Sequence, residues 1–286
     1  MRGAARRVAP PVPGPRAPVA CRAGPLRPGQ NRRVRLATFN ILHGRSPADG
    51  RVDLDRFAAA VRHLDADVLA LQEVDRAQPR SHGADLTAVA AQAMGATHHR
   101  FVATLHGEPG LWVAGTGEEQ PASAAYGIAL LSRVPVQEWR VLTLPTLRRR
   151  APVRFPGARW PALVRDEPRT ALAAVLDDDG RPLTVVGTHL TFIPGWNVRQ
   201  LRHLVRTART LPGSHVVMGD LNLAGEQPAR LTGLRPLVRA ATFPVDEPVR
   251  QLDHVLGGPG VRAVGVGEAV DTGLSDHRAL VVDVTR

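Results

Sequence analysis

Ten short strand-like runs constrain this chain more than any other feature, because several of them stop abruptly in a residue able to do chemistry. "VRLATFN" (34–40), "YGIALLSR" (126–133), "VQEWRVLTL" (136–144), "TALAAVLD" (170–177) and "PLTVVGTHL" (182–190) carry the alternation and the β-branched or aromatic content of strands, and "DVLALQE" (67–73) is a nearly continuous apolar strand. The acid–glycine turn in "DDDGR" (177–181) predicts a hairpin, hence antiparallel pairing. Three helices are predicted between the runs. The first follows an Asp53 N-cap and carries Leu54, Phe57, Ala58, Val61 and Leu64 on one face; the second spans 84–94 and stops at Gly95; the third spans 196–211. After it come "HVVMGDLN", "QLDHVLG", "VRAVGVGEAV" and "RALVVDV". Hairpin-paired strands with few helices between them predict an α/β (α+β) chain of two packed sheets covered by helices, in place of a doubly wound parallel sheet. No linker interrupts 34–286, so one domain is expected there.

The net charge of +11 suggests a polyanionic partner until its distribution is considered. Residues 1–33 hold eight arginines and no acid; removing them from the 37 basic residues leaves 29 against 26 acids, a balance of +3. This Arg/Pro/Gly-rich tail has no periodic apolar pattern and is expected to be disordered. Arg6 and Arg7 are not followed by an unbroken apolar stretch, which argues against an export signal; a bolder expectation is that residues 1–33 are a misassigned upstream extension and the natural chain begins near Val34. No segment approaches the roughly 20 apolar residues of a membrane span. The single cysteine, Cys21, lies in the tail, excluding an internal disulfide and making a cysteine-based site implausible; a cytoplasmic protein is expected.

Asn40, Glu73, His189, Asp220 and Asn222 close apolar runs, while Asp276 and His277 precede "RALVVDV". Because side chains alternate along a strand, Asp220 and Asn222 are expected on one side and Leu221 on the other. Taken singly, each of these residues reads as a turn former, a solvated acid or a structural histidine. Taken together, amides, carboxylates and two histidines at strand ends form an oxygen-rich set suited to Mg²⁺ or Mn²⁺ more than to zinc.

The ordered series "TFNILHG" (38–44), "LALQEVD" (69–75), "GIALLSRVPV" (127–136), "VVGTHL" (185–190), "MGDLN" (218–222), "LDHVL" (252–256) and "SDHRALVVDV" (275–284) resembles the motifs of the endonuclease/exonuclease/phosphatase superfamily over nearly all of 34–286. The resemblance implies a four-layered αββα sandwich with two central mixed, largely antiparallel sheets, and a Mg²⁺-dependent phosphoesterase. It implies Glu73 as principal metal ligand, with Asn40 and Asp276 beside it; Asp220 as the base that activates water; Asn222 on a phosphoryl oxygen or that water; His277 on the phosphate, oriented by Asp253; and His189 at the leaving group or phosphate. Arg169 resembles a position that can reach substrate phosphate, with an ordinary surface arginine as its alternative. Tyr126 and His43 are further candidates at the substrate, each with a structural role as its alternative. Where relatives place Asn or Tyr just before "ALLSR", this chain has Ile128.

The superfamily embraces several phosphate esters, so the fold does not choose among them. "RRRAPVRFPGARWPALVRDEPR" (148–169), with seven arginines, two acids and interleaved Phe155 and Trp160, suits a nucleic-acid backbone and a stacked base, although a solvated loop reads equally well. A phosphodiesterase acting on nucleic acid is therefore expected ahead of a phosphomonoesterase or lipid phosphodiesterase. A non-catalytic phosphate- or nucleic-acid-binding descendant is the alternative from another class, and no protein partner is suggested. The metallophosphoesterases that need "GDxxD" and "GNH" are disfavoured, because "GDLNL" puts leucine at the second acid.

Overall fold

Asp53 caps the first helix as its sequence requires, its carboxylate accepting the Arg56 N–H at 2.9 Å, and Asp85 caps the second by accepting from Thr87 N and Ala88 N. Gly95 closes that second helix at φ 69°, a left-handed conformation that glycine adopts without steric cost. The computed structural model describes residues 33–115, 117–154, 157, 159–178 and 180–286; the expectations for residues 1–32, including Cys21, and for Phe155 fall outside that set. Residues Asn31–Arg286 form one compact unit.

In chain order the strands are β1 (Val34–Asn40), β2 (Val68–Arg76), β3 (His98–His106), β4 (Val113–Ala114), β5 (Ala125–Ser132), β6 (Val136–Thr143), β7 (Ala151–Val153), β8 (Ala162–Val164), β9 (Thr170–Asp178), β10 (Arg181–His189), β11 (Ser214–Asp220), β12 (Arg235–Pro236), β13 (Asp253–Gly257), β14 (Arg262–Val270) and β15 (Ala279–Thr285). The helices are α1 (Leu54–Leu64), α2 (Leu86–Met94), α3 (Trp196–Ala208) and α4 (Gln227–Thr232). The first sheet runs β14-β15-β1-β2-β5-β3-β4 and the second β12-β13-β11-β10-β9-β6, while β7 and β8 form a separate hairpin. Among the described residues only β1–β2 and β10–β11 pair in parallel, so both sheets are mixed and largely antiparallel.

Three apolar layers hold the four structural layers together. Phe57, Val61 and Leu64 of α1 and Leu86 and Ala90 of α2 pack on Phe39, Leu69, Leu71 and Leu131 of the first sheet. Leu201, Leu204 and Val205 of α3 pack on Ala173, Val186 and Val217 of the second. Between the sheets, Leu36, Val68 and Leu130 meet Leu172, Val185, Val216 and Met218. Each such side chain contributes roughly 1.5–3 kcal/mol on burial. The architecture is the expected αββα sandwich.

The inter-sheet layer also aims the polar strand ends. Strand residues two apart share a face, so the file Leu36, Thr38, Asn40 continues the core outward in β1; Val185, Gly187, His189 does so in β10, and Val216, Met218, Asp220 in β11. In β13 the file runs the other way, from Val255 to Asp253. Core and site are thus two ends of the same side-chain rows.

Candidate active site

Register brings the polar ends of the second sheet side by side. Asp220 pairs with His189 of β10 on one side and with Asp253 of β13 on the other. Gly219 permits this closeness: it has φ 146°, and a Cβ there would lie 1.9 Å from the Thr188 carbonyl oxygen. From the facing sheet, the Asn40 amide donates to Glu73 Oε1 at 3.1 Å and to Asp220 Oδ2 at 3.2 Å, while its Oδ1 accepts from Leu42 N. His189 Nε2 lies 3.5 Å and His277 Nε2 3.9 Å from the same Asp220 Oδ2. Behind His277, Nδ1 is 2.8 Å from Asp253 Oδ2, and Phe243 packs on the imidazole with ring centroids 4.9 Å apart.

Glu73 arrives by a different route. Strand β2 does not end there; it continues to Arg76 through a bulge between Leu71 and Val74, and Glu73 sits at φ 58°. In a regular strand Glu73 would follow Leu69 and Leu71 toward the helices. The bulge turns it to Asn40 instead, at a backbone cost of order 1–3 kcal/mol of the kind found at functional sites. Asn222 also departs from the expected alternation. Strand β11 ends at Asp220, Asn222 has φ 50°, its backbone N–H donates to Asp220 Oδ1 at 3.0 Å, and its amide donates to the Leu190 carbonyl at 2.9 Å. It reaches the site by a turn, with part of its amide already engaged.

These groups open on a cavity of about 480 Å³ walled by Asn40, Glu73, Tyr126, Arg169, His189, Asp220, Asn222 and His277. Arg250, Phe192 and Phe243 also line it, and sequence reasoning did not single them out because they have no motif of their own; Arg154, of the arginine-rich stretch, lines it as well. Two candidates stand behind the wall. His43, at φ 49° in a 3-10 turn, feels the charges of Arg80, Asp75 and Asp276; the half-buried Asp276 accepts from Ser275 Oγ at 3.4 Å and bears on Glu73 and His277 through its charge.

Burial sets the protonation states. It raises the Asp220 carboxyl to about 7, helped by the neighbouring Asp253 charge and opposed by His277 and by hydrogen bonds from Asn222 and Asn40. Burial also raises Glu73, against the Asn40 hydrogen bond and the Arg169 charge. For His277, burial opposes the charge, but Asp253, by charge and hydrogen bond, together with Asp220 and Asp276 lifts it to about 10. His189, desolvated and near Arg169 and His277, lies well below its ordinary value and is neutral. His43 falls to about 4 through burial and the Arg80 charge. Arg169, paired with Glu167 at 3.2 Å, keeps a buried Nε that has no hydrogen-bond partner among the described residues.

Two places invite a cation. Asp220, Asp253 and His277 each put a ligand-type atom within 4.8 Å of the others. A doubly protonated imidazole has no lone pair to offer, however, and His277 is itself the cation between those two acids. Glu73 fits better: a desolvated carboxylate whose hydrogen bond among the described residues comes from a neutral amide, with a second acid, Asp276, close enough to raise it further. Its hard oxygen donors match Mg²⁺ or Mn²⁺.

The sequence profile of the Endonuclease/Exonuclease/phosphatase family matches residues 37–277. No curated protein matches in sequence. Among solved structures, an endonuclease/exonuclease/phosphatase from Beutenbergia cavernae DSM 12333 is 26% identical, with 89% of this chain and 72% of that chain covered at a TM-score of 0.65. D. rerio TDP2 complexed with single strand DNA product is 15% identical (89% and 99% covered, TM-score 0.56). ANGEL2, a 2′,3′-cyclic phosphatase in complex with adenosine-2′,3′-vanadate, is 12% identical (89% and 96% covered, TM-score 0.59).

Proposed function

We propose that this chain, which belongs to the Endonuclease/Exonuclease/phosphatase family, is a Mg²⁺-dependent phosphodiesterase that hydrolyses a nucleic-acid phosphate ester through an activated water. The observation that carries this reading is Asp220: a buried carboxyl with a near-neutral pKa, held by Asn40 and flanked by a neutral and a charged histidine at the cavity floor. The nucleotide-type ligands in the TDP2 and ANGEL2 structures support the substrate class.

Each residue then has a derivable task. Asp220 accepts the proton of a water as its oxygen attacks phosphorus, a base whose pKa lies near the working pH. His277, charged and aimed by Asp253 through Nδ1, donates its Nε2–H to the phosphoryl oxygen on which charge grows, and its burial strengthens that contact. His189 is neutral, so it serves as a hydrogen-bond donor to a phosphoryl or leaving oxygen and not as a strong acid. Arg169, which lines the cavity, brings its guanidinium charge to the phosphate, and Asn222 lies where it can steady the water. Glu73, with Asp276 and Asn40 at its side, would hold the divalent cation. The cation supplies Lewis-acid neutralisation of the phosphate and the leaving oxygen. The bond from the water oxygen to phosphorus forms as the P–O bond to the leaving group breaks, and the proton taken by Asp220 passes through solvent to the departing oxygen, so that one water yields a phosphomonoester and an alcohol.

A hydrolysis panel with Mg²⁺ or Mn²⁺ tests this: single- and double-stranded DNA, RNA, inositol phosphates, sphingomyelin and bis(p-nitrophenyl) phosphate, each with wild type and Asp220→Ala. Cleavage of a nucleic acid by wild type alone is expected. Equal rates for the two proteins would remove Asp220 from the mechanism, and no turnover of any ester would leave a binding descendant of the fold.

A further inference from the structure

The arginine-rich stretch does more than border the active site. Its hairpin, β7 with β8, pairs Ala151 with Val164 and Val153 with Ala162, which brings residues 148 and 165 to its open base. There Arg148 and Arg165 line a second cavity, of about 540 Å³, together with Trp112, Leu147, Glu167 and Pro168. Arg154 and Arg169 line the first cavity instead, and Glu167 belongs to both. Glu167, common to both cavities, pairs with Arg169 of the first. The stretch that contains this hairpin therefore brings two arginines to each of the two cavities. Neither Arg148 nor Arg165 has a carboxylate partner among the described residues, which leaves both open to an anion.

The second cavity also has a fixed aromatic wall. Trp112 is braced by Tyr126, with centroids 5.9 Å apart, and by the Arg80 guanidinium, 5.8 Å from its ring centre. Arg80 is itself locked by two hydrogen bonds of 2.8 and 2.7 Å to the fully buried Asp75. An indole held this way loses little freedom when a flat ligand stacks on it. The aromatic residue within the stretch itself is placed differently: Trp160 is 73% exposed, lies beside Arg159, and lines neither cavity.

Resting on the hydrolytic reading above, we propose that the second cavity is a subsite for the nucleotide adjoining the scissile phosphate of a single-stranded nucleic acid, with its base stacked on Trp112 and its flanking phosphates on Arg148 and Arg165. A cavity of this size, sharing a wall with the catalytic one, accepts a base only when that base is splayed out of its stack, which single strands allow and a duplex resists. Paired guanidinium groups around an aromatic plate match alternating phosphates and bases.

The test is binding without turnover. Fluorescence anisotropy of labelled single-stranded DNA and RNA oligonucleotides is measured against the full chain in EDTA, with wild type, Trp112→Ala, Trp112→Phe and the double variant Arg148→Ala/Arg165→Ala. Trp112→Ala should weaken binding of at least one strand type by about fivefold or more, and Trp112→Phe should restore most of it. The double arginine variant should lower the salt slope of log K by about 1.4, the share of two phosphates on a single strand. A duplex of the same sequence should bind more weakly than its single strand. Absence of single-strand binding by wild type, wild-type affinity in Trp112→Ala, or Trp112-dependent binding to anionic phospholipid vesicles in place of oligonucleotides overturns the subsite. Strand binding through Trp112 with no ester cleaved keeps the subsite and defeats the hydrolytic reading; cleavage of small esters without strand binding does the reverse.

Discussion

His277 Nδ1 and Asp253 Oδ2 are 2.8 Å apart behind the cavity that His277 lines, and this contact bears on both the direction of the imidazole and its charge. A carboxylate behind a histidine does this wherever the ring must keep one orientation.

Asp253→Asn preserves size but removes the charge that orients His277. The expected loss is about 10²–10⁴-fold in kcat, with KM changed far less. Steady-state kinetics on the ester found in the hydrolysis panel will check this; a loss confined to KM would assign the pair to substrate binding.

Metal removal separates the two cation-inviting clusters. Activity should disappear with EDTA and return with Mg²⁺, and Glu73→Gln should weaken Mg²⁺ binding by at least about tenfold by calorimetry. Asp253→Asn should bind Mg²⁺ nearly as wild type does. The opposite ranking would move the ion to Asp220, Asp253 and His277.

Gly219→Ala tests why "MGDLN" carries a glycine. The added Cβ would meet the Thr188 carbonyl oxygen at 1.9 Å, from a φ of 146° that side chains avoid. A loss of more than about 2 kcal/mol is expected in chemical denaturation, since a strained backbone and a steric overlap act together. An unchanged midpoint would show that β10 and β11 separate without penalty.

Acidification should destabilise the fold through His254. Burial is the largest influence on this β13 histidine and lowers its pKa, outweighing its hydrogen bond to the Leu223 carbonyl at 2.7 Å and the charge of Asp253. Its folded pKa therefore lies below the unfolded value of about 6.5, and on acidification the unfolded chain takes up the proton first. The contribution is complete above that pH and is lost as pH falls toward the folded pKa. Melting temperatures should drop between about pH 7 and pH 5, less steeply in His254→Asn; equal slopes would assign the effect elsewhere.

Local chemistry made most elements readable. Strand β1 coincides with "VRLATFN", and α1 begins after the Asp53 cap and ends at Leu64, as its spacing requires. Strand β3, "HHRFVATLH", was missed: its first three residues are polar and lie near the sheet's edge, so no alternation announces it. Helix α3 stops at Ala208, short of Leu211, because the chain turns at Thr210. At the site, Asn40, His189 and Asp220 were readable because they extend regular strands, whereas Asp253 came only from the family resemblance. The aim of Glu73 and the turn at Asn222 were not readable, since each depends on a positive φ set by tertiary contacts. Trp112 lacked any motif; only the folding of β4 against β3 places it beside Tyr126.

Apolar rows that become polar at the cavity give this molecule a parity rule. In β1, β10, β11 and β13, chemistry and core occupy positions of the same evenness or oddness, so inserting or deleting one residue within any of these strands would bury a reactive group among helices while exposing its valines to the wrong layer. Loops obey no such rule. Trp112, Arg148 and Arg165 lie outside all four strands, so the walls of the second cavity can vary while the polar rows keep their parity.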